Sequence, residues 1–179
     1  MADIVTRGQL FDYQRYRAHF TEVEPGAVAW SWAAIAARLA GCAHGERGTF
    51  TLSADGAAAG CEILPGMAVN VQVVQAGAST RPHAHAWWHL FVVQSGSGTA
   101  YLGATGEAVE LATRDLLLVP AWCEHAFQSD KAVALILFSM SNLPQQTRLG
   151  NLMAQEPTDS DDVPAVSPAG AATSTGSHP

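Results

Sequence analysis

The chain has 179 residues, enough for one compact domain with appendages and too few for several. Apolar residues make up 48% and charged residues 14%, so the chain can bury a core and is too apolar to be disordered throughout. Nine Lys and Arg against 16 Asp and Glu leave a net charge of −7 with no basic run, which excludes the positive footprint of a nucleic-acid or anionic-membrane binder.

The first residues, MADIVTRGQLFDYQRY, contain no apolar stretch of the kind that directs export. The most apolar later run, AVALILF at 132–138, is far short of the ~20 residues that span a bilayer. Cys42, Cys61 and Cys123 are an odd count without a CxxC pair, which fits a reducing compartment better than a disulfide framework. The expectation is a soluble, cytoplasmic protein. Residues 1–45 read as an N-terminal arm. Within it Ser31 is placed to cap a short helix over 32–40, with Trp32, Ile35 and Leu39 on one stripe and Gly41 as the stop.

From residue 46 to 155 short β-type runs follow one another, separated by Gly, Pro, Asn and Ser. Strands are predicted at 48–53, 67–75, 89–95, 98–103, 107–112, 115–120 and 132–140. In the second, Met67, Val69, Val71 and Val73 alternate with Ala68, Asn70 and Gln72, the period-2 mark of a half-buried strand. So many short strands in so few residues predict an all-β fold, a small sandwich or barrel. Residues 156–179 hold Glu156, Asp159, Asp161 and Asp162, no Lys, Arg or aromatic, and many Pro, Ser, Thr, Ala and Gly; they read as a disordered tail that includes His178.

Four of the seven histidines fall in the β region. His83, His85 and His89 stand in PHAHAWWH at even spacings, so an extended chain points all three to one side. His125, from the Pro-bounded segment PAWCEHAF, can join them in a site for a divalent metal.

The run GASTRPHAHAWWHLFVVQSG resembles the first cupin motif, G(x)5HxH(x)3–4E(x)6G, at Gly77, His83, His85 and Gly96, with His89 where that motif has Glu. The second motif, G(x)5PxG(x)2H(x)3N, is matched at Pro120 and His125, with Arg114, Trp122 and Ser129 where Gly, Gly and Asn are usual. The segments RDLLLVPAWCEHAF and LFSMSNLPQQTRLGNL further resemble the gentisate 1,2-dioxygenase-like branch, whose members cleave gentisate, salicylate, hydroxynaphthoate or hydroquinone. This resemblance implies a single cupin, a small double-stranded β-helix or jelly-roll barrel. It implies Fe(II), or another divalent metal, held by His83, His85 and His125, and a small hydroxylated aromatic cleaved with O2.

His89 has three readings: a fourth ligand, an acid/base for a bound phenol, or a packed strand residue. Trp87, Trp88, Trp122, Phe91 and Phe127 are either the wall of an aromatic pocket or core filler. Arg81 and Arg114 are either partners for a substrate carboxylate or exposed loop residues. Glu124 is expected to face away from the site, and Cys123 is not expected to be a ligand. The resemblance leaves two further functions open. The chain can be the small assembly subunit of a heteromeric hydroquinone dioxygenase, or a metal-binding cupin isomerase or lyase. The apolar arm with Trp30 and Trp32 leads to the expectation of a homodimer, or of a heteromer with a larger cupin subunit.

Overall fold

The computed structural model describes residues 12–15, 26–54 and 61–155; the tail expected at 156–179, with His178, lies outside the described residues. Among the described residues ten strands are arranged around one core: β1 Phe50–Leu52, β2 Ala68–Val74, β3 Ala84–His85, β4 His89–Ser95, β5 Ser97–Leu102, β6 Glu107–Ala112, β7 Leu116–Val119, β8 His125–Ser129, β9 Leu135–Ser141 and β10 Ala154–Gln155. A five-stranded sheet runs β1-β2-β9-β4-β7, a three-stranded sheet runs β6-β5-β8, and β10 pairs with β3. All the ladders are antiparallel. The segment before β4 lies alongside β8 through bridges Ser79↔Gln128 and His83↔His125, widening the smaller sheet.

The two sheets face one another across a core drawn from both, including Val74, Phe91, Val93, Ala100, Phe127 and Leu137. The barrel expected from the sequence is therefore the one observed, an all-β fold with a helix on its N-terminal side. No helix among the described residues is long and apolar enough to cross a membrane.

Helix α1, Trp32–Ala40, starts where Ser31 accepts a hydrogen bond from the Ala34 amide at 3.2 Å and stops at Gly41. It lays Ile35 and Leu39 on Val71 and Val73, outside the larger sheet. Trp32 does not share that buried stripe; it stays exposed, edge-on to Phe138 at 6.3 Å. This changes the reading of β2. Its valine face is covered by α1, and its opposite face, with Asn70 and Gln72, lines an internal cavity, so the strand is enclosed on both sides rather than half-buried.

Strands β4 and β6 have the predicted bounds. β8, β3 and β10 are not among the predicted strands, nor is helix α2, Leu143–Arg148, which Pro144 helps to start. The side chain of Asn142 caps no helix; its Oδ1 instead accepts from the Trp88 amide at 3.1 Å, fixing the bend between β3 and β4.

On the outer face of the larger sheet, beyond α1, β7 leaves Leu116 and Leu118 65% and 62% exposed. Leu118 is in register with Leu90 and through it with Met140, and Leu116 with Val92 and Phe138, so an uncharged apolar surface crosses three strands.

Candidate metal centre

The antiparallel bridge between His83 and His125, with amide-to-carbonyl distances of 3.2 and 2.9 Å, sets the two rings 4.1 Å apart. His85, two residues on, turns to the same side, its ring 5.4 Å from His83 and 5.1 Å from His125. All three are buried, and their candidate ligand nitrogens lie within 4.8 Å of one another. The chain then bends at Trp87–Trp88 and crosses to the larger sheet, where His89 again faces inward, 4.7 Å ring to ring from His85.

Hydrogen bonds orient two of these rings. His85 Nδ1 donates to the Trp87 carbonyl at 2.8 Å, and His125 Nδ1 to the Cys123 carbonyl at 3.0 Å. A carbonyl only accepts, so each neutral ring carries its proton on Nδ1 and leaves the Nε2 lone pair for a metal. His83 Nδ1 instead lies 2.8 Å from a guanidinium nitrogen of Arg47. Burial, followed by the nearby His125, Arg47 and His85, pushes the His83 pKa down to about 3. Burial, and then His85, His125 and His83, takes His89 to about 2. Both rings are neutral at physiological pH, the state a ligand nitrogen requires.

His89 Nδ1 meets Ser139 Oγ at 2.6 Å, while its Nε2 lies 3.1 Å from the Trp87 indole N–H and 3.0 Å from His85 Nε2. If His89 Nε2 accepts from Trp87, two lone pairs face each other at 3.0 Å. If it carries the proton, the indole donor is turned away. A cation at the cluster relieves this conflict, so the donor set fits a divalent metal held by His83, His85 and His125, with His89 beside them.

The rings open on a cavity of about 220 Å³. A dry cavity of about 150 Å³ accepts benzene, so this one has room for a single substituted ring. Trp87, Phe91, Phe127 and Leu143 form its apolar wall, and Asn70, Gln72 and Ser139 its polar one. Among the described lining residues Arg47 is the one cation, and there is no carboxylate.

Of the residues singled out by sequence, the structure thus brings His83, His85, His89, His125, Trp87, Phe91 and Phe127 to one cavity. Trp87 stacks on His85 with ring centroids 3.9 Å apart and planes 5° from parallel. Trp122 and Arg81 are corrections. Trp122 sits 46% exposed in a left-handed turn, φ 63°, and contributes only its amide, 2.7 Å from the His85 carbonyl. The Arg81 side chain turns outward to Glu46, Nε to Oε2 3.1 Å, and Glu46 also accepts from the Arg81 amide. These contacts with Arg81 and the charge of Arg47 outweigh burial and hold the Glu46 carboxyl below its usual range.

Arg114 is likewise in the left-handed region, φ 81°, in the turn before β7 and away from the cavity. Both positions are ones where the cupin motif has glycine, and their backbone conformation is the physical reason for it. Glu124 is exposed, and Cys123 offers its carbonyl to His125. Sequence reasoning missed Arg47, Asn70, Gln72 and Ser139 as lining residues. Asn70, Gln72 and Ser139 are polar residues on otherwise apolar strands, a pattern that a surface face explains equally well, and Arg47 lies in a turn.

A family model described as the cupin domain matches residues 70–140. Among solved structures, salicylate 1,2-dioxygenase from Pseudaminobacter salicylatoxidans is similar with 19% identity and a TM-score of 0.66, over 88% of this chain and 53% of that one. A structure of the same enzyme with gentisate adducts is similar with 21% identity and a TM-score of 0.53, over 59% of this chain and 28% of that one. The chain thus spans about half the length of that enzyme or less. No curated protein matches the chain.

Proposed function

We propose that this chain, which carries a cupin domain over residues 70–140, is an Fe(II)-dependent ring-cleaving dioxygenase acting on a small hydroxylated aromatic carboxylate. The observation that carries the reading is the buried three-histidine cluster at the end of a ring-sized cavity with one cation and no acid among the described residues of its wall. Three neutral imidazoles leave a divalent ion's charge uncompensated, and Arg47, whose guanidinium also lies 3.7 Å from the Glu46 carboxylate, presents a cation on the same wall. Such a cavity favours an anionic ligand. That favours salicylate or gentisate over hydroquinone, which has no carboxylate.

When bound, iron would supply open positions for a phenolic oxygen and O2 side by side, and the electronic link between them. The remaining work falls to the chain's own side chains. Arg47 pairs the carboxylate, Phe91 and Phe127 hold the ring, and the apolar wall keeps water out. His89, neutral and anchored by Ser139, hydrogen-bonds the phenolic oxygen. Ring cleavage breaks one C–C bond and places both oxygen atoms in the product, so no external reductant is required. The test is oxygen uptake by anaerobically iron-loaded protein with gentisate, salicylate and hydroquinone. Uptake with the carboxylates, greater than with hydroquinone, is expected, and none with any of the three would overturn the reading.

A second proposal concerns assembly and rests on the apolar face around Leu116 and Leu118. The face bears no charge, so two copies of an acidic chain can meet there without opposing like charges. The assembly we put forward is a homodimer through this face. Light scattering should give twice the chain mass for wild type and the monomer for Leu118→Glu. A wild-type monomer that gains mass only on adding a larger cupin chain would favour the heteromer instead.

A further inference from the structure

Arg47 and Glu46 are the two central residues of a tight turn closed by Gly45 and Gly48. The turn is tied down at two points. Gln72 Nε2 donates to the Glu46 carbonyl at 2.7 Å, and the Glu46 carboxylate holds Arg81. From this fixed base, one guanidinium nitrogen of Arg47 reaches both the Arg81 carbonyl at 2.9 Å and His83 Nδ1 at 2.8 Å. The Arg81 carbonyl is also placed to accept a hydrogen bond from the His83 ring.

Arg47 can only donate. With Arg47 against it, His83 Nδ1 is therefore an acceptor, and the proton of the neutral ring is on Nε2. For His83 Nε2 to ligate a metal, the proton must move to Nδ1 and be given to the Arg81 carbonyl. Two N–H groups would then stand 2.8 Å apart, so the guanidinium has to leave. We propose that Arg47 couples the two halves of the site: in the metal-free protein it holds His83 in the non-ligating tautomer, and an aromatic carboxylate that draws Arg47 away releases His83 for the metal. Carboxylate and metal each promote the binding of the other, as linkage requires. His85 and His125 need no such release, because backbone carbonyls already fix their tautomers. This inference rests on the three-histidine metal site and names the class of ligand that completes it.

The test reads the tautomer directly. Two-bond 1H–15N correlation spectra of the full chain, freed of metal by chelation, assign which ring nitrogen of His83 is protonated. The probe is benzoate, which has the carboxylate and lacks the chelating phenol. Wild type should show His83 protonated at Nε2 and move to Nδ1 on adding benzoate. Arg47→Met should show Nδ1 from the outset. In parallel, benzoate should tighten Co(II) binding on the order of tenfold in wild type, and by no more than about twofold in Arg47→Met. Using the ratio with and without benzoate cancels the charge that the substitution removes. His83 protonated at Nδ1 in metal-free wild type, or equal ratios in both proteins, would overturn the coupling. Absence of Co(II) binding in either protein would overturn the metal-site reading itself, a failure distinct from the first.

Discussion

Truncation of His85 to Ala tests the proposed metal centre most directly, because the ring has a structural role and a proposed ligand role that can be separated. His85 is buried, donates to the Trp87 carbonyl at 2.8 Å and stacks on the Trp87 indole at 3.9 Å. Removing it leaves a void and a carbonyl without its donor, costing about 1–3 kcal/mol in the metal-free protein. For a chain of this length, that lowers the melting temperature by about 2–4 °C per kcal/mol. A metal at 100 times its Kd adds about 2.7 kcal/mol to the stability of wild type, an upward shift of about 5–11 °C. If losing one of three ligands weakens binding by about 100-fold, the same metal concentration adds only about 0.4 kcal/mol to the variant, a shift of about 1–2 °C. Thermal denaturation of each protein with and without Co(II) measures the two shifts independently of their different starting points. A His85→Ala protein that keeps the full metal-induced shift would show that His85 is not a ligand.

The neutral state of His83 and His89 sets a pH dependence. Their folded pKa values, about 3 and about 2, lie below the ordinary 6.5, so the unfolded chain binds more protons as pH falls below 6.5 and stability declines. The slope reaches about 1.4 kcal/mol per pH unit for each histidine, and urea titrations of metal-free protein at pH 8, 7 and 5 should show no histidine contribution between the first two and a loss at the third. Equal stability at pH 7 and pH 5 would refute the buried neutral assignment. At Gly98 an added Cβ would lie 2.2 Å from the Gln128 carbonyl oxygen and 3.0 Å from the Ser129 Cα, both backbone atoms of the paired β8. Gly98→Ala should therefore cost more than about 3 kcal/mol, read as a drop in the urea midpoint. By contrast, Arg114→Gly relieves a left-handed residue costing about 1–2 kcal/mol and adds unfolded-state entropy worth about 0.4–1 kcal/mol. It should leave the melting temperature unchanged or raise it by up to about 6 °C; a fall would show that the Arg114 side chain contributes more than its strain.

The strands that were legible in the sequence are those whose own residues decide them. HLFVVQS alternates between a buried and a less buried face and ends at Gly96, whose φ of 87° marks the turn; β4 has the predicted bounds. β8 was overlooked because HAFQS contains no β-branched residue and owes its extension to pairing with β5 and with the His83 segment. The two-residue strands β3 and β10 exist only as each other's partner. The histidines were legible for the opposite reason, since a parity rule survives even though the chain bends between His85 and His89. Adjacency in sequence misled for Trp122, where a left-handed turn carries the ring outward. Arg81 has the right parity, yet the Glu46 carboxylate holds its side chain outside.

What no single strand reveals is the layering that makes the cavity. Along β4 the inward row reads His89, Phe91, Val93; along β2, Asn70, Gln72, Val74; along β9 in reverse, Ser141, Ser139, Leu137, Leu135. Each row passes from polar to apolar, and the observed register sets Ser139 opposite both Phe91 and Asn70, and Leu137 opposite both Val93 and Gln72. The polar ends therefore coincide at one end of the barrel, and the apolar ends close the other. Individually, Asn70, Gln72 and Ser139 look like polar interruptions of apolar strands that a surface face would explain equally well. Only the pairing of strands far apart in sequence makes them neighbours of the histidines. Arg47 belongs with them for the same reason, because its turn precedes β1 and reaches the site through the contacts of Glu46 with β2 and Arg81. The histidine cluster is thus local information, carried by PHAHAWWH and one distant histidine. The lining residues that give the cavity its shape and polarity are information of the register.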